Sequence, residues 1–261
     1  MAGGVVDTGL RQSVQEKRHI MATSKFPKAT PHDPIKEVFA DLFVVYGSMR
    51  LPPPAMRISR NMVIVRQGDE LTLINPVRLS EREEKALGAL GAVKNVVRLA
   101  YGHGLDDRYY VDHYSAAFWC LPGPQKYDEP KPSQTLAKGS GSPVGDSDLF
   151  VFEGTNFPES ALLLHRHGGL LITCDSVQHW SDWNQCTLLA RLVMKYALGF
   201  SKTTLIGPLW LKAMTPKGGS LKQDFDRLLT LQFDHLIGGH GSFCEGDAHT
   251  KVEAAVKRAF A

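Results

Sequence analysis

Residues 161–175 read ALLLHRHGGLLITCD. Two apolar runs flank Gly168-Gly169, the pattern of a β-hairpin whose turn uses glycine. The second run ends at Thr173-Cys174-Asp175 and so leaves a carboxylate at a strand end. Upstream, Asn61–Val65 (NMVIV) and Glu70–Ile74 (ELTLI) flank Gly68-Asp69 and predict another hairpin. Helical sequence follows each hairpin. Ser80 with Glu83 three residues on reads as a capping box opening EREEKALGAL. Ser181 reads as the cap of a helix with Leu188, Leu189, Leu192, Val193, Tyr196 and Ala197 at 3–4 spacing. Further helices are expected over Arg108–Tyr114, from Ser220 and after Asp247. Further strands are expected over Glu37–Tyr46, Val93–Leu99, AAFWCL, Asp148–Glu153 and His235–Gly238. Two β-rich halves, each closed by helices, predict an α+β fold: a four-layer αββα sandwich.

The chain has 261 residues, 43% hydrophobic and 22% charged. That is an ordinary globular composition and excludes a mostly disordered chain, a collagen and a coiled coil. A net charge of +3, with bases interleaved among acids, gives no reason to expect a nucleic-acid partner. No apolar run approaches the roughly 18 residues of a membrane helix, so no membrane association is expected. Cys120, Cys174, Cys186 and Cys244 form no CxxC or finger spacing. Arg11, Glu16, Lys17, Arg18 and His19 stand where a signal peptide needs an apolar stretch. The expectation is a reduced, cytoplasmic protein. Residues 1–33, polar and broken by Gly and Pro, read as a flexible tail, and 34–261 as a single domain. Within it, 121–147 reads as a long surface loop. The stretches 121–147 and 200–219 are expected to cover the mouth of a site.

Four fragments carry reactive side chains, and each stands where a strand gives way to a loop. His103-Gly-Leu-Asp-Asp107-Arg108 follows the strand VKNVVRL. Thr155-Asn-Phe-Pro-Glu-Ser-Ala161 precedes the hairpin quoted first, and Leu171-Ile-Thr-Cys-Asp175 ends it. Gly238-Gly-His-Gly241 closes the strand HLIG. Strand ends on one edge of a sandwich can gather distant residues on a rigid scaffold.

In order and context these fragments resemble the motifs of the metallo-β-lactamase superfamily. Those motifs are His-x-His-x-Asp-His after a strand, Gly-His-Thr before a hairpin, Thr-Gly-Asp at its end and Gly-His after a late strand. The resemblance covers roughly residues 35–261 and points to a divergent member. It implies the αββα sandwich and a hydrolase holding one or two zinc or iron ions. His103 falls on the first histidine, Asp107 on the aspartate, Asp175 on the bridging aspartate and His240 on the last histidine. Leu105 and Arg108 stand where two more histidines belong. Asn156 stands at the histidine before the hairpin, and Cys174 replaces a glycine. A register shifted by two would put Tyr101, His103, Leu105 and Asp106 on the first motif and keeps fewer ligand types.

The resemblance implies one divalent metal, zinc first, with iron or manganese as alternatives, held by His103, Asp107, Asp175 and His240. Carboxylates and imidazoles suffice for such a cation. Water whose pKa falls towards about 7 beside it could attack an ester, thioester, amide or phosphodiester of a small-molecule substrate. Asp107 and His103 would act on that water as catalytic residues. The alternative is a catalytically silent protein without metal that binds a small ligand or a protein partner. In that reading the Arg108 guanidinium neutralises Asp107 and Asp175. Iron-based redox chemistry is a third reading, against which the lost imidazoles count.

Other residues have plainer readings. His165 and His167 share a strand face but sit at the Gly168-Gly169 turn, away from Asp175, and read as a solvated turn. Asp112-His113 reads as a surface pair. His179 and Trp180 are candidates to line the pocket. Trp183 and Trp210 are candidates for an apolar wall or for the core. The neighbouring aspartate disfavours a Cys174 thiolate. No phosphate-binding glycine loop or nucleophile elbow is present.

Overall fold

Seven strands form one sheet in chain order: β1 (Lys36–Phe39), β2 (Leu42–Leu51), β3 (Met56–Gln67), β4 (Glu70–Ile74), β5 (Ala92–Arg98), β6 (Ala117–Cys120) and β7 (Gln134–Thr135). The computed structural model describes residues 26–52, 56–139 and 142–261. A second sheet takes β8 (Ser147–Val151), β9 (Ser160–Leu164), β10 (Leu170–Ile172) and β13 (His235–Ile237) in the order β13-β10-β9-β8. A short ribbon pairs β11 (Val177–His179) with β12 (Thr204–Ile206). The helices are α1 (Glu81–Leu90), α2 (Asp107–Tyr114), α3 (Leu188–Tyr196), α4 (Pro208–Met214), α5 (Lys222–Leu228) and α6 (Ala248–Ala259).

The period of two along each strand separates three cores. Leu42, Val44, Val63 and Val65 of the first sheet meet Leu162, Leu164, Leu170, Ile172 and Ile237 of the second. The alternate residues Phe43, Val45, Met62 and Ile64 pack instead with Leu87 of α1 and Tyr109 and Tyr110 of α2. On the far side, Ala161, Leu163, Leu171 and Leu236 pack with Trp210, Phe225 and Val252 from α4, α5 and α6. Each such fully buried aliphatic side chain contributes about 1.5–3 kcal/mol of transfer free energy. The layers are therefore helix, sheet, sheet, helix, as the strand and helix order predicts.

Both expected hairpins form, at Gly68-Asp69 and at Gly168-Gly169. Four local expectations do not hold. Glu37–Tyr46 is not one strand: the chain turns at Asp41, which has φ 63°, and β1 folds back on β2. Ser80 makes no side-chain cap, because Glu83 instead accepts a hydrogen bond from the Ile35 amide at 2.8 Å. Ser181 does not open α3, whose N-cap is Thr187, and the face bearing Leu188, Leu189, Leu192 and Tyr196 is exposed while Ala190 and Met194 are buried. Finally, residues 26–33 are docked rather than loose. Phe26 packs edge-on against Tyr109, the Asp33 amide bonds the Tyr46 carbonyl at 2.8 Å, and Ser48 bonds the Pro31 carbonyl at 2.7 Å. The rest of the expected tail, 1–25, lies outside the described residues.

Candidate active site

Three strand ends converge. His103 follows β5 in the loop that leads into α2, Asp175 follows β10 and His240 follows β13. Hydrogen bonds within and between the sheets fix these ends. The Ser160 amide bonds the Leu99 carbonyl, and the Gly239 amide bonds the Cys174 carbonyl at 2.9 Å. Buried Asn61 donates to the carbonyls of Gly238 and Gly241, at 2.9 and 3.0 Å. Buried Asn75 accepts from the Leu99 amide and donates to the Thr173 carbonyl. At Gly239 an added Cβ would stand 3.0 Å from His103 Cε1, so glycine lets the last loop close on the imidazole without crowding it.

The convergence is on one oxygen. His103 Nε2 lies 3.5 Å and His240 Nε2 3.0 Å from Asp175 Oδ1. The two rings meet edge to face, 5.3 Å between centroids. His240 Nδ1 faces the Ser59 carbonyl, which can only accept, so Nδ1 carries a proton. His240 Nε2 is thereby turned to the Asp175 carboxylate. Burial lowers the His103 pKa, opposed by Asp175, and so favours its neutral imidazole. Burial pushes the Asp175 carboxyl up, but the two imidazoles outweigh it and hold the group well below the usual range. His103 Nδ1 is buried without a hydrogen-bond partner among the described residues. Zinc bonds of about 2.0–2.1 Å would set tetrahedral donors about 3.3 Å apart. The observed 3.5 and 3.0 Å bracket that spacing. His103 and Asp175 thus offer part of a site for a divalent metal, with His240 on the far side of the carboxylate. Cys174 Sγ is close enough to join: ligand atoms of His103, Cys174 and Asp175 lie within 4.8 Å of one another. Burial, with Asp175 beside it, pushes the Cys174 thiol well up.

The structure brings His103, Asp175 and His240 together and does not bring Asp107 to them as a free ligand. Asp107 opens α2, and its Oδ2 takes a hydrogen bond from Arg98 Nε at 2.6 Å. Asp106 is likewise committed to Arg60, also at 2.6 Å. Arg108 points outward to Asp112, 3.5 Å away, and is 40% exposed, so it does not neutralise the cluster. Asn156 turns to the carbonyls of Ala213 and Thr215. His179 turns to Thr204 at 2.8 Å. His165 makes an exposed pair with Asp148 at the hairpin end.

The cluster opens into a cavity of about 530 Å³ whose walls include Trp180, Trp210, Lys126 and Tyr127. Residues from 121–147 and 200–219 do line it, as expected of a mouth. Glu159 also lines it, fully buried, with Ser176 and Trp210 beside its carboxyl. Burial and the Asp175 charge push the Glu159 carboxyl well above its ordinary value. Sequence reasoning missed Arg60, Arg98 and Glu159. The available signal was a charge inside or beside an apolar strand: Arg98 ends VKNVVR, and Glu159 precedes SALLL.

No protein-family model matches the chain, and no curated protein does. Solved structures do. The DIM-1 metallo-β-lactamase exposed to ceftazidime is 14% identical, with a TM-score of 0.59 over 89% of this chain and 100% of that one. A metallo-β-lactamase from Pontibacter korlensis is 12% identical, with a TM-score of 0.56 over 87% of this chain and 99% of that one. The FIM-1 metallo-β-lactamase from Pseudomonas aeruginosa, in its mono-zinc form, is 9% identical, with a TM-score of 0.55 over 89% of this chain and 98% of that one. The layers, the strand order and these matches over nearly the whole length establish that the chain has the metallo-β-lactamase fold.

Proposed function

We propose that this chain is a divergent metal-dependent hydrolase that turns water against an ester, thioester, amide or phosphodiester of a small molecule. The observation that carries the reading is the convergence of His103 Nε2 and His240 Nε2 on Asp175 Oδ1. With Asp107 committed to Arg98, three residues would hold one divalent ion, zinc first and iron or manganese next, with Cys174 within reach. A bound ion of this kind supplies Lewis acidity and brings the pKa of water towards about 7.

The chain's own residues do the rest. The Ser59 carbonyl fixes the His240 tautomer, so its Nε2 faces the cluster. The buried, neutral His103 holds the opposite side. Trp180 and Trp210 thin the water around the reacting group, which strengthens every charge interaction there. The alternative of a metal-free ligand binder loses the contact it needs, because Arg108 is paired with Asp112.

The test is elemental analysis of untagged full-length protein after incubation with zinc, iron or manganese, with Asp175→Ala as control. About one metal per chain, lost in the variant, is the expected result. No metal above background in the wild type would end the hydrolase reading.

A further inference from the structure

The cavity beside the cluster has a composition that narrows its ligand. Several of its polar groups are mutually engaged at one place: His103 and His240 with Asp175, and Arg60 with Asp106. Glu159, Gln178, Lys126 and Tyr127 also reach the lining, but most of the remaining wall is apolar, with Met56 and Ile58 on β3, Val193 and Met194 on α3, and Trp210 and Met214 on α4. Four of the seven methionines in the chain, Met49, Met56, Met194 and Met214, line this one cavity. Methionine is unbranched and conformationally adaptable, and it suits a wall that must follow a flexible ligand. A ligand with polar substituents facing the methionine-lined part of the wall would bury them unpaired, at a cost. The volume of about 530 Å³ suits a small molecule rather than a folded segment. Leu209, 55% exposed and part of the lining, carries the apolar surface out to the rim.

We propose that this cavity takes a single unbranched hydrocarbon chain, the acyl chain of an ester or thioester whose carbonyl sits at His103, Asp175 and His240. The proposal rests on the hydrolase reading for its chemistry and on the walls alone for its ligand class. In the reaction the bond from the acyl carbon to oxygen or sulfur breaks and a bond to the oxygen of water forms. One water proton ends on the leaving alcohol or thiol. The other is released to solvent, leaving a fatty carboxylate.

The test uses non-hydrolysable neutral probes: straight-chain alcohols of increasing length carrying a terminal bromine, which quenches nearby tryptophan. Trp180 and Trp210 in the wall make full-length protein its own reporter. Affinity should rise with each methylene, by up to about fourfold, and level off once the cavity is full. Met194→Lys should weaken the longest bound alcohol at least tenfold. Because Met194 is buried, Ala213→Glu, at an exposed position on the lining, serves as a second variant with little risk to folding. Both should retain the metal. No quenching, or affinity that ignores chain length and is matched by a cyclic alcohol of equal carbon number, overturns the proposal. Asp175→Ala separates the two claims, because it should lose metal and keep the length dependence. Length-dependent binding without any metal sinks the hydrolase reading alone. Metal binding without length dependence sinks the acyl-chain proposal alone.

Discussion

Asp107 Oδ2 lies 2.6 Å from Arg98 Nε, with both side chains only 1% exposed. The pair is a structural joint beside the site. The other Arg98 nitrogens reach the Tyr127 carbonyl at 3.0 Å, and Gln125 Oε1 and the Glu129 carbonyl at 3.4 Å each. One guanidinium thus ties the start of α2 to the loop that supplies Lys126 and Tyr127 to the cavity mouth. The aspartate that the motif offers as a metal ligand is spent on orienting that arginine.

Asp107→Ala should therefore act on stability more than on metal. Removing one partner of a buried ion pair leaves the other charge uncompensated, at about 3–5 kcal/mol. Urea unfolding should show a loss of that order, while metal per folded chain stays near the wild-type value. A folded variant that has lost its metal would restore Asp107 as a ligand.

Arg108→Ala should do almost nothing. Its pair with Asp112 is long, at 3.5 Å, and both side chains are solvated. Exposed i,i+4 pairs are worth a few tenths of a kcal/mol. Unchanged stability and unchanged metal content are expected, and a gain of metal in the variant would show that Arg108 had been competing for the site.

Gly239→Ala addresses the site without touching a ligand. The new Cβ would lie 3.0 Å from His103 Cε1 and 3.2 Å from the Cys174 carbonyl. The imidazole has to shift, because the backbone on the other side cannot. Displaced support around a metal ligand costs about 10–100-fold in affinity. Competition against a chromogenic chelator should read that loss, with the melting temperature close to wild type. An affinity equal to wild type would mean that the added methyl group leaves the hold of His103 on the ion undisturbed.

The layers were legible because period-two alternation is strong where a strand is buried on both sides, as in Leu162–Leu164 against Ala161–Leu163. His103, Asp175 and His240 were legible because each sits just past a strand end. What sequence reasoning missed depends on partners far along the chain. Nothing near Asp107 says that Arg98 will reach it, and both motif aspartates look equally available until Arg60 and Arg98 are placed. The exposed face of α3 was misread for a related reason. Leu188, Leu189, Leu192 and Tyr196 have helical spacing, but Ala190, Val193 and Met194 on the other side of the helix face the cavity. Periodicity identifies an apolar stripe; it does not say which of two stripes is covered.

Glu159 gives the stability curve a slope with a definite sign. Its carboxyl is pushed well above the ordinary 4.5 by burial and by Asp175. The native state therefore holds a proton that the unfolded chain releases near pH 4.5. Stability from this group is complete below that value and is lost as pH rises towards the folded pKa. For one fully coupled group the loss is about 1.4 kcal/mol per pH unit. Glu159→Gln keeps the neutral shape and removes the titration. Urea unfolding of chelator-treated protein at pH 5, 6, 7 and 8 should show wild-type stability falling with pH more steeply than that of the variant. Parallel curves would mean that Glu159 is ionised in the folded protein, and that the cavity wall carries a charge next to Asp175.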